Sequence, residues 1–121
     1  MITSVHLTNW RAYGDVTLQL EPGTTFLVAA NGVGKSSMIE AVKWTLNRSA
    51  KPTPDPIRKG QRRAAVELVL DVSGAALRVR RSLDLGDAPA PRKTPKDGYE
   101  TWIGDAPCGT DDFFDRLAVA W

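Results

Sequence analysis

The stretch AANGVGKSS, residues 29–37, constrains this chain most, because it lies between the apolar run TTFLV and the segment MIEAVKWTL. A strand-to-helix turn can gather several negative charges by aiming successive backbone N–H groups at one point, at the positive end of the helix. Such a turn must be nearly bare of side chains. Gly32 and Gly34 provide that, since glycine tolerates positive φ and lets the backbone approach a ligand closely. Lys35 is placed to reach the outer phosphates of a triphosphate such as ATP, and the Ser36 hydroxyl to fill one position of a Mg²⁺ octahedron. Asn31, Val33 and Ser37 complete the expected nucleotide-binding stretch. Asn31 is read as either bonding within the turn or only forming it, and Ser37 as capping or packing rather than touching the metal. The full pattern G-x-x-x-x-G-K-[ST] has its first glycine at position 29, where this chain has Ala29. At an extended strand end a Cβ costs little, so the cradle is expected to survive with altered affinity.

The flanking pattern supplies the context such a turn requires. Residues 2–7 and 16–20 read as short strands separated by a turn at Tyr13, Gly14 and Asp15, by alternation and turn composition. Residues 24–30 form an almost wholly apolar run, expected of a strand covered on both faces. Over 35–47, Met38, Ile39, Val42 and Leu46 recur at helical spacing and predict an amphipathic helix. Residues 47–60, with Pro52, Pro54 and Pro56, are expected to be a surface loop. Val66, Leu68, Leu70 and Val72, then Leu77 and Val79 after the Ser73-Gly74 turn, predict an antiparallel hairpin. Residues 85–98 read as a mobile loop, 99–103 as a short strand, and a last helix is expected to start at Thr110 or Asp111.

Composition excludes some classes. No apolar stretch nears the ~20 residues of a membrane span, no basic start and long apolar run marks a secretory leader, and Cys108 is alone. A cytoplasmic protein with no membrane association is expected. The formal net charge is only +2, so attraction to nucleic acid must come from a local cluster. Arg58, Lys59, Arg62 and Arg63 form one, readable as a DNA-phosphate contact or as a solvated loop.

NWRAYGDVTLQLEPG, then N-G-x-G-K-S-S, then MIEAVKW, together resemble the N-terminal ATPase lobe of the structural-maintenance-of-chromosomes (SMC), SbcC and RecF/RecN group. Residues 66–70 and 77–83 resemble that group's antiparallel layer more loosely. The resemblance implies an α/β fold, a partial P-loop NTPase head with an antiparallel β layer, one phosphate loop and its helix. It implies ATP and Mg²⁺ as cofactors, and a role in DNA repair, chromosome maintenance or anti-phage defence. It places Arg11 near the nucleotide or a partner head, against the alternative of a solvated turn arginine, and lets Asn31 meet the opposing head. Partners implied are the C-terminal lobe of the same head, a second head that dimerises on ATP, and DNA.

In that group the signature motif, the acidic Walker B strand and the switch histidine follow a long insertion, and none is found in residues 1–121. The chain is therefore expected to be one incomplete lobe of a longer ATPase, without turnover by itself and with no catalytic residue of its own. Arg81, in phase with Leu77 and Val79, puts a charge on the apolar side and is expected to snorkel or pair with an acid. Trp10 and Trp44 read as core or interface aromatics, with stacking on adenine as the alternative, and His6 and Cys108 as non-ligands. Two rival readings remain at this point. One is a P-loop kinase or transporter ATPase. The other is a degenerate, nucleotide-free module that binds DNA or a protein through the basic loop.

Overall fold

The computed structural model describes residues 2–11, 13–20, 36–72, 74–87 and 94–120, with the backbone alone at residues 36, 119 and 120. The expected strand at 24–30 and the glycine turn through Lys35 lie outside the described residues. In chain order the elements are β1 (Ile2–Trp10), β2 (Tyr13–Gln19), α1 (Ser36–Leu46), β3 (Arg63–Val72), β4 (Ala75–Asp84), β5 (Lys96–Ile103), β6 (Ala106–Cys108) and α2 (Thr110–Ala120). The strands form one antiparallel sheet of order β2-β1-β3-β4-β5-β6.

Alternation decides which face of that sheet is covered. Val5 and Leu7 of β1, Val66, Leu68 and Leu70 of β3, and Leu77 and Val79 of β4 are fully buried in one cluster. Helix α1 joins the cluster through Met38, Ala41 and Val42, and α2 through Phe113 and Leu117. Both helices therefore draw on the same apolar face, while residues of opposite phase such as His6, Glu67 and Arg80 are at least partly exposed. The buried stripe of α1 runs along Met38, Ala41, Val42 and Thr45, with Ile39 and Leu46 only partly covered. It is thus rotated from the expected one, because the small Ala41 and Thr45 let the helix lie close to the strands.

Four expectations need correction. Tyr13, Gly14 and Asp15 belong to β2 rather than to a turn, since Trp10 pairs with Tyr13 and the chain reverses between them. Asn9 and Arg11 flank that reversal at φ 50° and 52°, and a Cβ at Gly14 would collide with the Arg58 guanidinium. Gly14 therefore sits in a strand rather than a turn, and a Cβ there would need only the end of the exposed Arg58 side chain to move. Residues 47–60 are not merely a surface loop: Ile57 is buried and bridges to Trp10, with Arg58 N–H bonded to Asn9 C=O and Arg11 N–H to Pro56 C=O. Proline suits this edge because only its carbonyl is used. The third correction is that β5 begins at Lys96, inside the segment read as a loop. The fourth concerns residues 104–108, to which the sequence pattern assigns no element: they hold β6, a three-residue edge strand reached through Gly104 at φ +63°, which alternation could not reveal.

Candidate functional site

Helix α1 is described over Ser36–Leu46, which follows the G-x-G-K pattern in sequence, and its first turn carries no acidic side chain. The free N–H groups of such a turn point at whatever precedes the helix, and an absence of acids there leaves the positive end of the dipole uncancelled. Asn31, Gly32, Val33, Gly34 and Lys35 lie outside the described residues, as does the Ser36 side chain. Ser37 is partly buried, and its carbonyl accepts the indole N–H of Trp10 at 3.1 Å. Trp10 itself is 1% exposed and stands 5.0 Å from Trp44, ring centre to ring centre. It therefore offers no free face to a base, and the stacking alternative for Trp10 is withdrawn.

The first acid along α1 is Glu40, one turn in, and Arg11 covers it. Arg11 donates from Nε to Glu40 Oε1 at 2.7 Å and from Nη2 to Oε2 at 2.9 Å, a two-pronged pair. These hydrogen bonds hold the guanidinium above its ordinary pKa. Arg11, exposed in the reversal between β1 and β2, is thus tied to α1 through Glu40. Beside it lies a recess of about 140 Å³ lined by Trp10, Arg11, Glu40, Trp44, Lys51 and Thr53.

The other end of α1 is clamped by the sheet. Arg81, 0% exposed, donates from Nη1 to the carbonyls of Trp44 at 2.5 Å and Asn47 at 3.0 Å, and from Nη2 to Ala50 at 2.9 Å. Asp97 binds its other edge through Nε at 2.9 Å and Nη2 at 2.6 Å. The guanidinium also lies 4.2 Å from the Trp44 ring centre and 4.8 Å from that of Tyr99, whose hydroxyl donates to Thr45 C=O at 2.8 Å. Arg81 therefore does pair with an acid, as its phase in β4 suggested.

The basic cluster is divided. Arg63 is shared between Asp84 and Asp87 at 3.2 and 2.7 Å, and the Asp87 hydrogen bond is the main reason its pKa is raised. Asp84 is held below its usual range chiefly by the Gly86 N–H it accepts, with Arg63 adding to the effect. Arg62 donates to Gly86 C=O at 3.1 Å. Arg58 and Lys59 are exposed. His6 faces Asp15 at 2.5 Å, and among the described residues no group of His, Cys, Asp and Glu is arranged to hold a metal ion. Cys108 is a free, partly buried thiol. Among the described residues, no helix is long and apolar enough to cross a membrane. Sequence reasoning missed Glu40 and Asp97. Glu40 is on the exposed face of α1, shortly after the G-x-G-K pattern in sequence, and that placement was its only signal.

An antiparallel sheet covered by α1 and α2 makes the described residues an α/β fragment. The sequence model of a family described as an AAA domain matches residues 4–100, and the chain belongs to that family. Within it the chain is an N-terminal ATPase lobe of the SMC/Rad50/RecF-like, ABC type. It is 30% identical over 86 residues to a DNA double-strand break repair Rad50 ATPase of Thermoplasma volcanium, covering 69% of this chain and 10% of that protein. A Rad50 ATPase of Methanopyrus kandleri is 34% identical over 88 residues, covering 71% of this chain and 10% of its own length. A DNA replication and repair protein RecF of Paenarthrobacter aurescens is 40% identical over 67 residues, covering 53% and 17%. The chain thus spans about a tenth of the length of these Rad50 relatives and under a fifth of this RecF.

Proposed function

We propose that this chain binds ATP with Mg²⁺ as the N-terminal part of a cytoplasmic SMC/SbcC/RecF-like ATPase acting in DNA repair, chromosome maintenance or anti-phage defence. One observation supports the reading: α1, Ser36–Leu46, follows Gly32-Val33-Gly34-Lys35 in sequence, with no acid in its first turn and with Glu40 paired to Arg11. An anion is the ligand that such a helix end favours. In this reading Gly32, Gly34 and their neighbours supply amides to the β-phosphate, and Lys35 reaches the β- and γ-phosphates. Ser36 gives its hydroxyl to Mg²⁺, which when bound neutralises charge between the phosphates. The metal set fits, because Mg²⁺ asks few protein ligands and takes the rest from phosphate and water. Arg11 acts from one turn away by masking Glu40.

Turnover needs an acidic Mg²⁺ ligand, a water-orienting carboxylate and a signature loop closing on the γ-phosphate. We assign these to the C-terminal lobe of the head and to a second head. Arg58 and Lys59 are the cations of the basic loop best placed to meet DNA phosphates. Calorimetric titration with ATP-Mg²⁺ tests the assignment: Lys35→Ala, folded by circular dichroism, should bind at least about tenfold more weakly than wild type, since it removes a charge-assisted contact. Equal affinity in the two proteins overturns it, and a folded wild type that binds no ATP-Mg²⁺ favours the nucleotide-free module.

A further inference from the structure

A helix that presents amides to phosphate must be held along its axis as well as against its sheet. Apolar burial is non-directional and tolerates sliding or rotation of a helix over its neighbours. Hydrogen bonds to the helix ends do not. In this fold the directional bonds gather at the C-terminal end of α1. The last carbonyls of a helix lack i+4 partners within it, and here Trp44 hands its own to one buried guanidinium and Thr45 to Tyr99, while the same guanidinium takes the Asn47 and Ala50 carbonyls of the turn just past α1. The five N–H groups of an arginine are matched by five bonds, three to these carbonyls and two to Asp97. The charge also sits where the helix dipole is negative.

A second line of contact runs the length of the helix. Arg81 lies over Trp44, Trp44 packs on Trp10, and the Trp10 indole donates to the carbonyl of Ser37 in the first turn. Arg81 of β4 with Asp97 of β5 thus holds one end of α1, and Trp10 of β1, reached through Trp44, holds the other, about 16 Å away at 1.5 Å per residue over the 11 residues of the helix. We propose that Arg81, oriented by Asp97, is a positioning residue for nucleotide binding: it sets the axial position of α1 and so the point at which the first-turn amides meet phosphate. This rests on the nucleotide-binding reading above, although Arg81 itself touches no ligand.

The test compares wild type with Arg81→Met, Arg81→Lys, Asp97→Asn and Tyr99→Phe. ATP-Mg²⁺ affinity is measured under conditions where near-ultraviolet circular dichroism shows each protein folded, alongside amide exchange at residues 37–40. Arg81→Met keeps the buried stem and loses every directional bond, so its affinity should fall about tenfold or more, with faster exchange in the first turn. Arg81→Lys, a single point donor in place of a fork, should lie between. Tyr99→Phe removes one carbonyl bond and leaves the five of Arg81 in place; it should lower the melting temperature and weaken affinity far less than Arg81→Met. A folded Arg81→Met with lowered melting temperature but wild-type affinity and exchange overturns the proposal. Should Arg81→Met fail to fold, Asp97→Asn decides: weakened binding supports the proposal and wild-type binding overturns it. If wild type itself fails to bind, the nucleotide reading falls, and first-turn exchange alone decides whether Arg81 governs the helix end.

Discussion

Arg11 and Glu40 show how one side chain can serve a site it need not touch. Glu40 stands one helical turn, about 5.4 Å, from the opening of α1, and an uncovered carboxylate at about 7 Å opposes each ligand charge by roughly 0.6 kcal/mol even at the dielectric of water. Arg11 cancels that repulsion through its two-pronged pair. Both side chains are more than a third exposed, so the pair adds only about 0.5 kcal/mol to the stability of the fold. Arg11→Ala should therefore weaken ATP-Mg²⁺ binding about three- to tenfold at low salt while hardly moving the melting temperature. Glu40→Gln should restore affinity in the Arg11→Ala background, because the charge that Arg11 masks is then gone. Isothermal titration of the four proteins of this cycle checks it. A double variant as weak as Arg11→Ala would instead mean that Arg11 meets the nucleotide directly.

At the scale of elements, the join between β5 and the end of α1 carries its own pH signature. Burial holds the Tyr99 phenol above its ordinary value of 10, an effect that Arg81 partly offsets. Its neutral form donates to Thr45 C=O. The folded protein therefore releases this proton at higher pH than the unfolded chain. The associated stability is complete below about pH 10 and drains away as pH rises from there through the folded value. Urea midpoints at pH 8 to 11 should show wild type losing stability faster than Tyr99→Phe. At pH 8 the variant should be weaker by about 1 kcal/mol, the worth of one hydrogen bond. Parallel pH profiles would contradict this.

The same elements mark how far sequence reasoning reaches. The β3–β4 hairpin and the start of α2 were legible because apolar alternation and a capping residue are local signals. The start of β5 was not, because Lys96, Asp97 and Gly98 look like a loop until the buried Arg81 that Asp97 satisfies is in place. In the candidate site the G-x-G-K pattern is plain in the sequence, whereas the pairing on α1 spans 29 residues for Arg11 and Glu40, and the pairing at its far end spans 16 for Arg81 and Asp97. No spacing rule connects residues that meet only through the sheet.

For the molecule as a whole, charge is the property that bears on DNA, and most of it is already balanced. The formal net charge is +2, and of the four basic loop residues Arg63 is shared between two aspartates while Arg62 bonds the Gly86 carbonyl. Arg58 and Lys59 remain exposed beside the reversal between β1 and β2, carried there by the Ile57–Trp10 bridge. A contact neutralising two or three phosphates gives a log–log salt slope of about −2 to −3, so duplex affinity should fall roughly 15- to 60-fold between 50 and 200 mM salt. That is shallow beside a dedicated DNA-binding surface. Fluorescence anisotropy with a labelled duplex should show Arg58→Ala with Lys59→Ala flattening the slope by nearly two. Arg63→Ala should change it by less than about 0.5, because that charge is spent on Asp84 and Asp87 and little counterion is released when DNA approaches it. A slope that falls equally for Arg63→Ala would place the DNA on the aspartate side of the loop, and a slope that neither substitution alters would remove this loop from the DNA contact altogether.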